Sequence, residues 1–118
     1  MARILSISYD EVLLSTRQLL LENVGHRVTS ALGLGQALKL CRTEKFDLVI
    51  IGHSIPEQDK ERIIQAVREM RQTPVLVLLK FSERAHKSAN YNHELHSPEQ
   101  FVEAVKTILS EPAAAGRA

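Results

Sequence analysis

The chain has 118 residues, of which 44% are hydrophobic and 25% are charged, and its formal net charge is +1. This composition is typical of one globular domain, and the low net charge gives no general attraction to nucleic acid or to an anionic membrane. The single cysteine excludes an internal disulfide and a thiolate metal cluster. The apolar run after Arg3 is too short for a signal peptide or a membrane span, so we expect a cytoplasmic protein of bacterial type.

Two strands and two helices are predicted over residues 4–45. An apolar run over residues 4–8 predicts a strand, and Asp10 can cap the helix that follows. This helix is expected to end at Gly25. Its predicted buried face consists of Leu13, Leu20, Leu21 and Val24, and Arg17 is expected on the opposite, solvent-exposed face. A weaker strand over residues 26–30 precedes a second amphipathic helix, whose apolar face includes Cys41 as a buried thiol.

Three strands and up to three helices are predicted in the remainder. Residues 46–51 and 75–79 are continuous apolar runs, which suit parallel strands covered on both faces. A helix is expected from about residue 59 to residue 71, and residues 80–90 allow a further helix of about two turns. Residues 91–95 suit an edge strand, and Ser97 and Pro98 begin a last helix that buries Phe101.

Strands that alternate with helices require right-handed crossovers and a parallel sheet. The expected fold is therefore a flavodoxin-like three-layer α/β sandwich, with helices on both faces of a five-stranded parallel sheet of order 2-1-3-4-5. We expect one domain over residues 1–111 and a loose tail over residues 112–118. In such sheets function lies where strands 1 and 3 end, which places it at residues 8–10 and 52–54.

The chain resembles the receiver domains of response regulators, the CheY-like proteins of two-component (phosphorelay) signal transduction. The strongest match is Phe-Asp-Leu-Val-Ile-Ile over residues 46–51, with Pro56 four residues after Gly52. Receivers usually have Phe-Asp-Leu-Val-x-x-Asp there, followed by a proline at the same distance. The resemblance covers about residues 3–110 and implies a CheY-like fold with a shortened fourth helix, because the segment before the fifth strand is about two turns short.

The resemblance also implies a phosphoryl-transfer site of five groups, and all five are changed here. A pair of acidic residues and an aspartate hold Mg²⁺ in receivers, the aspartate accepts the phosphoryl group, and a Ser or Thr and a Lys bind the phosphate. These five positions correspond to Ser8, Tyr9, Gly52, Leu79 and Glu94. The resemblance therefore predicts a pseudo-receiver that is not an enzyme and has no cofactor, with its usual Mg²⁺ site lost. Asp10 lies next to the changed acidic pair and could come closer after a shift of one residue.

Two other functions stay open at this point. His53 or Ser54 could replace the aspartate as phosphoacceptor, which would make the chain a phosphotransfer protein. Alternatively, Gly52 and Ser8 could leave a pocket for a small ligand. Two weaker hypotheses are a zinc site formed by His93, His96 and His53, and a basic nucleic-acid contact between the fourth and fifth strands.

In receivers the fourth helix, the fifth strand and the last helix form the usual output and dimerisation surface. The corresponding candidates here are Lys80, Arg84, Tyr91 and Phe101. The resemblance implies a signalling partner, either a histidine kinase or an output protein, with a homodimer as a further option. No nucleic acid and no membrane is expected to bind this domain.

Overall fold

A computed structural model describes residues 2–53, 55–70, 72–79, 88–94 and 97–110. Its strands are β1 (Arg3–Ser8), β2 (Arg27–Leu32), β3 (Leu48–Ile51), β4 (Val75–Leu79) and β5 (Tyr91–Glu94). Its helices are α1 (Glu11–Glu22), α2 (Leu34–Thr43), α3 (Glu57–Met70) and α4 (Pro98–Ser110). The strands form one parallel sheet of order β2-β1-β3-β4-β5, which confirms the predicted topology and the edge position of β5.

Two apolar clusters cover the two faces of the sheet. On one face, β-strand residues such as Val49 and Val77 pack with Ala37 and Cys41 of α2 and with Ile63 of α3. On the other face, residues such as Ile50 and Leu76 pack with Leu21 of α1 and with Phe101 and Val105 of α4. Because both faces are covered, β3 and β4 are buried along their whole length, as their uninterrupted apolar sequences predict.

The local end signals of the helices act as predicted. The Asp10 carboxylate accepts hydrogen bonds at the start of α1, and the Ser97 hydroxyl accepts one from the Gln100 N–H at the start of α4. Gly25 follows α1 with a φ of 98°, a left-handed conformation that glycine adopts without strain. Gly33 has a φ of 92° and immediately precedes α2, so it lies at the entrance of that helix.

Several predicted boundaries need correction. Strand β2 runs on to Leu32, and α3 begins at Glu57 because Pro56 starts the helix earlier than the apolar spacing indicates. Leu95, predicted as the last residue of the fifth strand, lies outside the described residues. Met70 follows Ile63 and Val67 at helical spacing, which predicts burial, but it is 47% exposed at the last residue of α3. Most of the helix predicted over residues 80–90 and the whole tail over residues 112–118 lie outside the described residues.

The buried face of α1 also differs from the prediction. Leu14, Arg17 and Leu21 are its buried residues, whereas Val24 beyond its end is 52% exposed. Leu13 and Leu20 are only half-buried. The buried face of α1 differs from the predicted one because the long methylene stem of Arg17 packs where an apolar side chain would be expected. None of the described helices is both long enough and apolar enough to cross a membrane.

Candidate functional site

Strands β1 and β3 are neighbours, so the residues that follow them meet at one edge of the sheet. The Gly52 N–H donates a hydrogen bond of 2.9 Å to the Ile7 carbonyl, which continues the ladder beyond β3. Ser8 is fully buried beside it, and a Cβ atom built on Gly52 would lie 3.5 Å from the Ser8 Cβ. The structure therefore brings together two of the predicted site positions, neither of which carries a carboxylate.

The space next to Gly52 is taken by Arg17 of α1. A Cβ atom at residue 52 would lie only 2.8 Å from Arg17 Nη1, closer than real carbon and nitrogen atoms approach. It would also lie 3.1 Å from the Ile7 carbonyl oxygen. The backbone does not demand glycine here, because the positive-φ glycines are Gly25 and Gly33. The missing side chain at Gly52 therefore leaves room for the guanidinium that packs against it.

The Arg17 guanidinium is a buried cation. The side chain is 4% exposed, and within the described part of the chain neither Nη1 nor Nη2 has a hydrogen-bond partner. Burial lowers the pKa of Arg17, and the negative charge of Asp10 opposes this shift. A buried charge without a hydrogen-bonded partner is energetically costly, so this side chain is the most unusual feature of the site.

Asp10 acts on α1 rather than on a metal. Its Oδ1 accepts hydrogen bonds from the N–H groups of Val12 at 2.9 Å and Leu13 at 3.2 Å. Its own N–H donates to the Ser8 Oγ at 3.0 Å. These bonds satisfy free donors in the first turn of the helix, and they commit Ser8 and Asp10 to one local capping arrangement.

Tyr9 connects the end of β1 to α3. Its hydroxyl donates a hydrogen bond of 2.8 Å to Asp59 Oδ2. Burial of the phenol, the hydrogen bond and the Asp59 charge together raise the pKa of Tyr9 to about 12, while Arg62 acts in the opposite direction. The second acidic position of receivers is thus occupied here by a neutral side chain with a structural partner.

The remaining two positions lie further along the same edge. Leu79 and Glu94 are cross-strand partners at the ends of β4 and β5. Leu79 is buried in the cluster beneath α2 and α3, whereas Glu94 is exposed. The aliphatic side chain of Leu79 has no group that could bind phosphate. The carboxylate of Glu94 would repel a phosphate group.

The structure separates several of the other candidates. His53 is half-buried in the turn after β3, and His93 is exposed on β5, with β4 between the two strands. Ser54 and His96 lie outside the described residues. Over the ranges that are described, no three His, Cys, Asp or Glu side chains come together as metal ligands.

Of the residues proposed for the output surface, two can be placed. Tyr91 is half-buried at the start of β5, and it packs against the apolar cluster under α4. Phe101 is only 5% exposed and belongs to that cluster, so it is a core residue that also forms a wall of the surface groove between β5 and α4. Lys80 and Arg84 lie outside the described residues.

Sequence reasoning missed three residues near the site. Arg17 was assigned to the solvent face of α1, although it lies three residues after Leu14 and four before Leu21, which is core spacing. Asp59 was not identified as the partner of Tyr9, because a contact across 50 positions leaves no local signal. Lys60 of α3 is 1% exposed, and its charge gave no reason to expect burial.

Known proteins similar to this chain are response regulators. The transcriptional regulatory protein AfsQ1 of Streptomyces coelicolor is 30% identical over 78 residues, which make up 66% of this chain and 35% of that protein. The matched region thus spans about a third of that relative. No family model matches the sequence.

Solved structures give the same result over nearly the whole chain. A response regulator protein from Burkholderia multivorans is 29% identical, with a TM-score of 0.72 and coverage of 96% of this chain and 98% of that one. TrrA from Thermotoga maritima, solved in complex with Mg²⁺ and BeF, is 21% identical with a TM-score of 0.79, and 92% of this chain covers 99% of that one. The fold is therefore that of these CheY-like structures.

Proposed function

Because this chain is a receiver domain of the response-regulator (CheY-like) type, we propose that it serves two-component signalling without phosphorylation at the usual position. Receiver domains interact with signalling proteins such as kinases. In this proposal the domain is a pseudo-receiver that acts in the cytoplasm through protein–protein contacts. It catalyses no reaction, and it uses no Mg²⁺. Its partner is a histidine kinase or an output protein, with self-association as the alternative.

One observation carries this proposal: Arg17 packs against Gly52 where a phosphoacceptor side chain would begin. A Cβ atom at residue 52 would overlap the guanidinium in its observed position, and glycine has no nucleophile. A cation in this place also disfavours a divalent metal ion, since like charges repel at short range. Ser8 and Tyr9 supply no carboxylate, and their hydroxyl groups are engaged with Asp10 and Asp59.

The proposal is tested by incubating the protein with acetyl phosphate and Mg²⁺ and by measuring its intact mass. We expect no gain in mass under conditions that label a receiver with an intact aspartate. A stable, Mg²⁺-dependent gain of one phosphoryl group would contradict the proposal. Loss of such a gain in His53→Ala would assign it to His53, and its persistence would direct the search to Ser54.

The interaction part of the proposal has its own measurement. If the domain acts in one fixed state, its affinity for a signalling partner is the same with and without acetyl phosphate. A change in affinity of about tenfold, equivalent to about 1.4 kcal/mol, would instead indicate a phosphate-driven switch.

A further inference from the structure

We infer that Arg17 anchors a binding site for a small organic carboxylate in the groove between α1 and the beginning of α4. The inference deepens the proposed function and rests on it, since the guanidinium lies where receivers have an acceptor aspartate and has no hydrogen-bond partner among the described residues. It would make the domain a sensor of a small acid, with the ligand bound non-covalently beside the lost phosphorylation site.

The first argument is the state of the Arg17 side chain. Its guanidinium is buried, and within the described residues neither Nη atom has a hydrogen-bond partner. The nearby acid Asp10 is exposed, and its carboxylate caps α1. Guanidinium groups have a planar fork of donors that matches a carboxylate, and such pairs are strong when water is excluded. A carboxylate is the group that would satisfy these donors.

The second argument is the groove that Arg17 lines. It has a volume of about 220 Å³ and lies between α1 and α4. Arg17 both lies against Gly52 and forms part of this groove. In this proposal a change of rotamer turns the guanidinium from Gly52 toward a ligand in the groove. The groove is otherwise lined mainly by apolar side chains and by the start of α4: Leu13, Leu20, Phe101, Ser97 and Pro98.

The lining defines the class of ligand. Among the described lining residues, Arg17 is the one cation, and the N-terminal end of α4 adds a partial positive charge. Together they suit a single negative charge. The walls of Leu13, Leu20 and Phe101 favour a hydrocarbon tail over a second polar group. The groove is smaller than sites for drug-sized ligands, which are about 300 to 1,000 Å³. A short aliphatic or aromatic monocarboxylate fits these conditions better than a phosphate dianion.

The test is a titration of the full chain with sodium hexanoate, followed by ¹⁵N NMR. Hexanol provides the same hydrocarbon tail without the charge, and inorganic phosphate provides an anion without the tail. We expect saturable shifts of the Thr16, Ser97 and Gly52 amide signals with hexanoate and much weaker effects with the other two. Arg17→Leu is expected to weaken hexanoate binding by about tenfold or more, because a charge-assisted pair is lost.

Two controls make the result decisive. Arg42→Leu removes an exposed arginine from α2 and is expected to leave hexanoate binding unchanged. Arg17→Lys keeps the positive charge without the forked geometry and is expected to bind with intermediate affinity, so it provides a reading even if Arg17→Leu folds poorly. The inference is overturned if hexanoate does not bind saturably, if hexanol or phosphate binds as tightly, or if Arg17→Leu binds as the wild type does.

This outcome is independent of the phosphorylation test. A gain in mass with acetyl phosphate would contradict the proposed function whatever hexanoate does. If no gain in mass occurs and hexanoate fails to bind, only the inference about Arg17 is wrong.

Discussion

At Gly52 the decisive property is the missing side chain. The glycine has no left-handed backbone to justify it, and its hydrogen bond to Ile7 continues an ordinary parallel ladder. Its role is to give the Arg17 guanidinium a place at the end of the sheet. Gly52 and Arg17 therefore form one packing unit, and substitutions at the two residues should not be additive.

We predict that Gly52→Ala destabilises the fold by about 1 kcal/mol, the lower end of the usual range for overpacking, because the end of the Arg17 side chain can shift. The cost should fall in an Arg17→Leu background, because the overlap with Nη1 disappears while that with the Ile7 carbonyl remains. Urea unfolding of the wild type, Gly52→Ala, Arg17→Leu and the double variant measures the coupling free energy between the two residues.

Gly35 offers a matched control for this substitution. It lies in α2, and a Cβ atom there would meet nothing within 4 Å. Gly35→Ala should therefore stabilise the protein by about 0.5 to 1 kcal/mol through helix propensity. Equal effects of Gly52→Ala in both backgrounds would show that Arg17 does not occupy the space beside residue 52.

At the scale of elements, Asp10 at the start of α1 could act either as a helix cap or as a Mg²⁺ ligand. Asp10 is the carboxylate nearest to the changed acidic pair, yet its Oδ1 accepts two N–H bonds from the first helical turn. A helix cap needs a short polar acceptor, whereas a Mg²⁺ site needs charged oxygen ligands from several elements. The two roles can therefore be distinguished by substitution.

We predict that Asp10→Ala lowers the free energy of unfolding by about 1 kcal/mol, the typical cost of losing a cap. Asp10→Asn should stay close to the wild type, since asparagine caps equally well without the charge. Thermal unfolding with and without millimolar Mg²⁺ measures both effects. Stabilisation by Mg²⁺ that both variants abolish would assign Asp10 to a metal site instead.

At the scale of the whole molecule, the contact between Tyr9 and Asp59 joins the end of β1 to α3 across 50 positions of sequence. The raised pKa of Tyr9 therefore depends on the folded state, because unfolding exposes the phenol to water and separates it from Asp59. The folded protein keeps the phenolic proton to higher pH than the unfolded chain does. Between the ordinary pKa of 10 and the folded value of about 12, stability must therefore fall as pH rises.

This effect can be measured on a single phenol, since Tyr9 and Tyr91 are the two tyrosines. In Tyr91→Phe, ultraviolet titration should show one transition near pH 12. Adding Asp59→Asn should lower this midpoint, because the negative charge that opposes ionisation is removed. A midpoint near 10 in Tyr91→Phe would contradict both the burial of the Tyr9 phenol and its hydrogen bond to Asp59.

The amino-acid sequence by itself determined the order of elements and the sheet. Uninterrupted apolar runs at residues 46–51 and 75–79, together with end signals at Asp10, Gly25 and Ser97, act over a few residues and can be recognised without a structure. The changed receiver positions, Gly52 foremost, could also be found from the sequence, because the motif around residues 46–56 sets their register.

Only the tertiary structure decided what occupies the changed site. Arg17 is 35 positions from Gly52, and Tyr9 is 50 positions from Asp59, so no local pattern connects either pair. The charge of Arg17 predicts that its side chain is exposed to solvent. Its long methylene stem can nevertheless pack as an apolar side chain does, and the charged end then lies inside the protein. Whether the guanidinium reaches water or the end of β3 depends on how α1 packs on the sheet.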